Sequence, residues 1–162
     1  MAKRKESTDF SPRIANRKAH HDFHVLEKLE CGIALVGSEV KSVRNGQVSL
    51  AEGYARVETR DENLYLYNVD IAVYPHAGVQ THEPKRVRRL LAHRREINKL
   101  LGASTAKGKG LTLVPLAMYF VRGFVKVEIG LAQGKNSFDK RDDIKTREAK
   151  REMQRGMTRK VL

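Results

Sequence analysis

The chain has 162 residues with 40% hydrophobic content, enough for one compact domain with tails. Its formal net charge of +13 and pI near 10.1 point to a polyanionic partner, nucleic acid ahead of an anionic membrane surface. A single cysteine, Cys31, excludes an internal disulfide and a Cys-based zinc site; no apolar run reaches the roughly 18 residues that span a bilayer, and no apolar segment follows the basic "MAKRKESTDF", so a cytoplasmic protein without membrane attachment is expected.

Residues 1–20 carry six Lys or Arg against two acids with little apolar periodicity, and read as a flexible basic arm. From residue 21 the pattern becomes that of short strands. Phe23, Val25 and Leu29 alternate, imperfectly, with His24, Leu26 and Lys28, and the apolar run "GIALVG" follows between Gly32 and Gly37. "SEVKSVRN" breaks the alternation and predicts a short helix capped by Ser38, with Val40 and Val43 inward and Lys41 and Arg44 outward. Ala55 and Val57, a polar turn at Asp61 to Asn63, then Leu64 and Leu66 predict a hairpin. "PKRVRRLLAHRREINKLLG" predicts a helix over 84–102, with Val87, Leu90, Leu91, Ile97, Leu100 and Leu101 on its apolar face. "TLVPLAMYFVRGFVKVEIGLA" predicts a last strand pair turning at Arg122-Gly123, with Pro115 at an edge or bulge. About six antiparallel strands with two or three helices predict a mainly β domain over 21–138. Closure into an oligonucleotide-binding-type barrel would remove its exposed edges.

The six cations Lys85, Arg86, Arg88, Arg89, Arg94 and Arg95 occur with no acid between Glu83 and Glu96, which favours a phosphate-binding face over an ordinary solvated one. His93 lies among them. His20, His21, Asp22 and His24 suggest a metal site at first sight, but no second cluster completes a ligand set. "GASTAKGKGLT" misses the phosphate-loop spacing, and no nucleophile elbow occurs, so neither enzymatic activity nor a cofactor is expected. Aromatics are only 6% of residues, and Tyr54, Tyr65, Tyr67 and Tyr119 fall in strands where packing explains them. Recognition of a folded RNA by shape and backbone fits better than stacking along a single strand.

The tail, residues 139–162, sets Arg147, Arg151, Arg155 and Arg159 four residues apart on one side of any helix, opposite a thin stripe of Ala149, Met153 and Met157. Each like-charge pair costs a few tenths of a kcal/mol, and Gly156 costs about 1 kcal/mol more. Coil is therefore expected for the tail alone, and helix where an anionic surface supplies the missing term.

"NRKAHHDFHVLEKLECGIALVGSEVKSVRNGQVSL", "EPKRVRRLLAHRREINKL", "TLVPLAMYFVRGFVKVEIGLAQGK" and "DKRDDIKTREAKRE" resemble, in order, the signature blocks of the bacterial small protein B family, the SsrA-binding proteins of trans-translation. The resemblance covers most of residues 16–152. It implies an oligonucleotide-binding-type barrel that binds the tRNA-like domain of transfer-messenger RNA (tmRNA). It also implies delivery of that RNA, with elongation factor Tu, to 70S ribosomes stalled on broken messages, by a factor that is a monomer when free and catalyses nothing. By the same resemblance Glu30 and Leu91 grip the RNA elbow, and His93 stands where many relatives carry Asn. His21 meets the decoding centre, and Asp139, Lys140 and Arg141 begin a tail whose Lys145, Arg147, Arg151, Arg155 and Met157 continue into the vacant messenger channel. The main alternative is a basic ribosomal or ribosome-assembly protein that binds structured ribosomal RNA.

Overall fold

The computed structural model describes residues 12–77, 81–105 and 110–159. In chain order the elements are β1 (Ile14–Ala15), α1 (Arg17–Asp22), β2 (Phe23–Ile33), α2 (Gly37–Arg44), β3 (Val48–Ser49), β4 (Tyr54–Val57), β5 (Leu64–Tyr67), β6 (Asp70–Ile71), β7 (Arg88–Leu91), α3 (Arg94–Thr105), β8 (Leu111–Val121), β9 (Phe124–Gly134) and α4 (Ser137–Arg159). Six strands close into an antiparallel ring in the order β8-β4-β5-β7-β2-β9, with β9 returning to β8. Closure gives every central strand two partners and leaves no long free edge. β1 adds to β8 at Ile14↔Met118, and β3 and β6 form a separate ribbon.

Alternation decides what enters the ring. Cys31, Leu64, Leu66, Leu90, Met118, Val127 and Ile129 point inward and are buried. Burial pushes the Cys31 thiol up to about 12, which makes it an inert core residue, as its apolar neighbours in sequence suggest. β8 is buried on both faces from Leu113 to Met118. A register shift between Pro115 and Ala117 turns the strand there, and Val114 and Leu116 pack outside the barrel with Ala19 of α1.

Several expectations change. The short helix α2 starts at Gly37 with Val36 at its N-cap, so Ser38 lies inside its first turn and does not cap it. The predicted helix over 84–102 is a strand followed by a helix: β7 sits between β5 and β2, pairing Leu64↔Leu90 and Gly32↔Leu91, and α3 begins only at Arg94. Over so few residues the spacing of Leu90 and Leu91 suits either period, and the vacant place in the ring selects the strand. Glu96 then caps α3 by accepting from the His93 backbone N–H at 2.9 Å, and the helix runs to Thr105, past the expected stop at Gly102.

The basic arm is also shorter than 1–20, since residues 12–20 belong to the domain. The buried Asn16 side chain donates to Leu50 O at 2.9 Å and Pro115 O at 2.8 Å, and accepts from the Ala19 N–H at 3.1 Å. Residues 1–11 lie outside the described residues, as do 106–109 of the expected Gly/Lys loop. The tail, for which coil is expected in the free chain, is the 23-residue helix α4 in the structure. Glu148 and Glu152 each precede an arginine by three residues, a local support the arginine stripe alone does not reveal.

One buried charge group joins α2 to the ring. Arg88 of β7 is fully buried, and its Nε donates to Glu39 Oε1 of α2 at 2.8 Å. Its Nη1 donates to Val69 O and Arg86 O, and its Nη2 to Pro84 O. Glu39, equally buried, also accepts from Arg86 and from the Val36 N–H at 2.8 Å. Burial works to raise the Glu39 carboxyl, yet the hydrogen bonds from Arg86, Val36 and Arg88 outweigh it and hold the group below its ordinary 4.5.

A carboxylate depressed by folding stabilises above its unfolded value, and that stability is lost as pH falls through the folded one. Glu39→Gln should therefore cost roughly 3–5 kcal/mol in urea unfolding at neutral pH, because it leaves Arg88 buried without its charge partner. The same variant should lose less further stability than the parent as pH drops below about 4.5. Equal acid slopes for the two proteins would remove Glu39 from that account.

Candidate nucleic-acid interface

The acid-free run of cations does not form one face. Arg88 points into the barrel mouth, so its expected place among phosphate-contacting surface residues is corrected: its charge is consumed by Glu39, an acid that lies 49 residues away in sequence. Arg86 is partly withdrawn by the same carboxylate, at 2.5 Å. Lys85, Arg89 and Arg95 are exposed, and Arg94 is held at Glu62 through a 2.5 Å bond to its backbone oxygen. Arg89 donates to the neutral Asn63 Oδ1 at 2.9 Å and so keeps its full charge for a partner.

The remaining candidates gather on the outside of β7, β2, β9 and β8. Register pairs Leu91 with Gly32, Gly32 with Lys126, and Lys126 with Tyr119, which makes one row across four strands. Gly32 has no side chain, and a Cβ there would meet Leu91 Cβ at 3.2 Å. Leu91 thus covers the gap while remaining 51% exposed. Glu30, exposed and two residues along β2, pairs with Glu128 in the next row.

Two carboxylates side by side repel unless neutralised. Lys28 at 3.0 Å and Arg13 at 2.8 Å do this for Glu128; burial opposes them, but their hydrogen bonds hold its carboxyl below the usual range. Glu30 accepts from the Tyr119 hydroxyl at 2.5 Å. Burial and that bond push the tyrosine up to about 12, so it stays a neutral donor, and Arg13 lies 4.6 Å over its ring. Glu30 is thereby fixed as an acceptor at the surface beside Lys126, which has no ion-pair partner among the described residues. An RNA hydroxyl or base N–H can donate to it while cations approach phosphates.

Lys41 and Arg44 occupy exposed positions of α2, their charges resting 5.1 Å from the Tyr74 ring and 5.4 Å from the Phe120 ring. His93 is exposed but lies beyond the end of β7, where it starts α3.

The second group of candidates sits at the other end of the long ladder. Phe23 pairs with Gly134, nine residues from the Gly32–Lys126 pair, which separates the ends by about 30 Å. His21 lies in the last turn of α1 with Nδ1 2.9 Å from Asp22 Oδ1, the arrangement of a ring that donates from Nδ1. Asp139 opens α4 with a carboxylate oxygen 3.7 Å from His24 Nε2. Arg141, Lys145, Arg147, Arg151 and Arg155 follow along the helix, and from Arg141 onward every described side chain is exposed. The side chains of Lys140 and Met157 lie outside the described residues. No three His, Cys, Asp or Glu side chains converge as metal ligands among the described residues, and no described helix is long and apolar enough to cross a membrane.

Sequence reasoning missed Arg13, Lys28, Tyr119 and Lys126. Each belongs to the face only through strand register. The one local signal was the alternation that put Lys126 and Glu128 on the side opposite Val125 and Val127.

Comparison with known proteins agrees over nearly the whole chain. Residues 13–159 match the family model described as SmpB protein. An SsrA-binding protein of Carboxydothermus hydrogenoformans is 50% identical over 142 residues, covering 88% of this chain and 93% of its own. One of Corynebacterium diphtheriae is 46% identical over 162 residues, covering 99% and 97%, and one of Trichodesmium erythraeum is 52% identical, covering 88% and 89%. A chain from a solved structure of tmRNA–SmpB in the bacterial ribosome superposes with a TM-score of 0.65 at 48% identity, over 78% of this chain and 87% of that one. Continuous in sequence and matched in fold, the likeness shows that this chain belongs to the SmpB protein family.

Proposed function

We propose that the chain binds the tRNA-like domain of tmRNA with the outer face of β7, β2 and β9, and brings that RNA to stalled ribosomes for trans-translation. The observation that carries this reading is the roughly 30 Å ladder with an RNA-suited face at one end and His21, Asp139 and an arginine helix at the other. A protein so built can hold one RNA while its far end enters another anionic site. In this reading Glu30, Leu91 and Arg89, with Lys126, grip the RNA, and Lys41, Arg44, Lys85 and His93 add contacts at its border. His21, Asp139, Lys140 and Arg141 meet the decoding centre, and Lys145 through Met157 lie along the empty messenger channel of the small subunit. The RNA arrives charged and with elongation factor Tu. The protein is a cytoplasmic monomer that supplies binding and position, not catalysis.

From Arg141 onward every described side chain of α4 is exposed, so burial against the barrel contributes little to holding it. We propose that it exchanges with coil in the free protein and is fixed as helix by ribosomal phosphates, which also quench the repulsion along Arg147, Arg151 and Arg155. Removing 139–162 should then leave affinity for the tRNA-like RNA within a few fold. Arg147→Glu with Arg151→Glu, or Ala149→Pro alone, should stop tagging on stalled ribosomes. Normal tagging by the proline variant would end the account of the tail, since proline breaks the helix interior.

Charge reversal at Arg89 or Lys126 should weaken RNA binding and lower the slope of log K against log salt by about one for each phosphate no longer neutralised. Arg88→Glu should instead unfold the protein, which thermal melting would reveal. Sequencing of RNA crosslinked in cells separates this reading from the ribosomal-protein alternative. One small structured RNA supports it, and ribosomal RNA alone at one copy per subunit overturns it.

A further inference from the structure

Phe124 is the first residue of β9, directly after the two-residue turn at Arg122-Gly123. It is 72% exposed, more than any other large apolar side chain described. Single exposed hydrophobics are common and need no explanation, but three features set this one apart. It is held rigidly: Arg122 and Gly123 have φ of 51° and 83°, the left-handed pair of a tight hairpin turn, and Phe124 is in register with Val121 across the hairpin. It lies on the same side of β9 as Lys126, hence on the face that carries Leu91 and Glu30.

It also extends an apolar strip. Leu91 is 51% and Val87 47% exposed on and just before β7, and between β7 and β9 the β2 chain presents only Gly32 and then Ala34, whose N–H donates to Arg89 O at 3.0 Å. Arg89, Arg122 and Lys126 surround this strip, and neither Arg122 nor Lys126 has an ion-pair partner among the described residues. An apolar floor with a cationic rim suits a nucleobase whose own phosphates lie at the edge. It suits an apolar protein surface less well, since that would leave three cations to be desolvated without partners.

We infer that Phe124 is a base-stacking contact. Its ring receives one unpaired base of the bound RNA, and Arg122 and Lys126 hold the phosphates on either side. The inference rests on the proposed binding of tRNA-like RNA to this face and adds a contact to it. Stacking on an aromatic is sequence-tolerant and insensitive to salt, so it differs in signature from the charges around it.

The chain contains no tryptophan, so Phe124→Trp places a single fluorescent reporter at the site. With the isolated tRNA-like domain as probe, this variant should bind as the parent does, and its emission should be quenched on binding. Phe124→Ala should bind about ten- to a hundredfold more weakly with an unchanged salt slope, while its melting temperature stays that of the parent because the ring is exposed. Arg122→Gln should instead lower the slope by about one.

If the parent protein itself fails to bind this RNA, the functional reading falls and the inference with it. If the parent binds and Arg89→Glu weakens it, but Phe124→Ala binds within twofold and the tryptophan is not quenched, the stacking inference alone is overturned. Normal RNA binding by Phe124→Ala combined with failed tagging also overturns it, in favour of a protein partner at the hairpin tip.

Discussion

The buried bond between Arg88 of β7 and Glu39 of α2 sets which residues of β7 face outward, and the position of the proposed RNA face follows from it. A buried guanidinium is tolerated only when its donors find acceptors. Here a carboxylate and three carbonyls, from α2, the segment just after β5 and the segment leading into β7, take four of its five. The group fixes β7 between β5 and β2 with Arg88 and Leu90 inward, which turns Arg89 and Leu91 to the outside. A pair of this kind adds little net stability over an apolar substitute, but breaking one side of it costs about 3–5 kcal/mol, a large part of the roughly 5–15 kcal/mol typical of a whole domain. Its effect is to disfavour the alternative register of β7, in which Leu91 and Arg89 would turn inward.

The face beyond it is built on neutralisation. Glu30 and Glu128 adjoin on a protein with a large positive excess, and their charges are spread over Lys28, Arg13 and the Tyr119 hydroxyl. The outcome is a surface that is cationic at its edge, apolar along Leu91 and Ala34, and supplied with one oriented carboxylate. Such a surface suits the proposed partner, a folded RNA with accessible bases and hydroxyls, better than a plain duplex backbone, which asks only for positive charge. At the opposite end of the ladder the requirement reverses. α4 exposes every described side chain from Arg141 onward, and its arginines need no pocket because a channel of phosphates would supply the surroundings.

Much of this was legible in the residues. Strict alternation in Val125, Val127 and Ile129, the Arg122-Gly123 turn, Pro115 at a register shift and the Val40/Val43 side of a short helix mark β8, β9 and α2 in the sequence itself. These features are set within a few residues by side-chain period and backbone sterics, so sequence suffices for them. Net charge named the class of partner, and the order of four motif blocks named the family.

Long-range pairing lay beyond that reach. Over Val87 to Leu91 the apolar spacing fits a helix and a strand equally, and only the empty place between β5 and β2 decides for the strand. The six cations of residues 85–95 look alike in sequence, yet one is buried against Glu39, one is shared with it, and one pairs with Glu62. Tyr119, 89 residues away in sequence, and Lys126 become neighbours of Glu30 only through strand pairing, and Arg13 joins them over the Tyr119 ring. Sequence determined which residues prefer strand, helix or solvent, because those preferences are local free energies. Which charges remain available to a partner was decided only when the ring closed, because the Coulomb and desolvation terms that bind Arg88 and leave Arg89 exposed depend on groups the fold brings together.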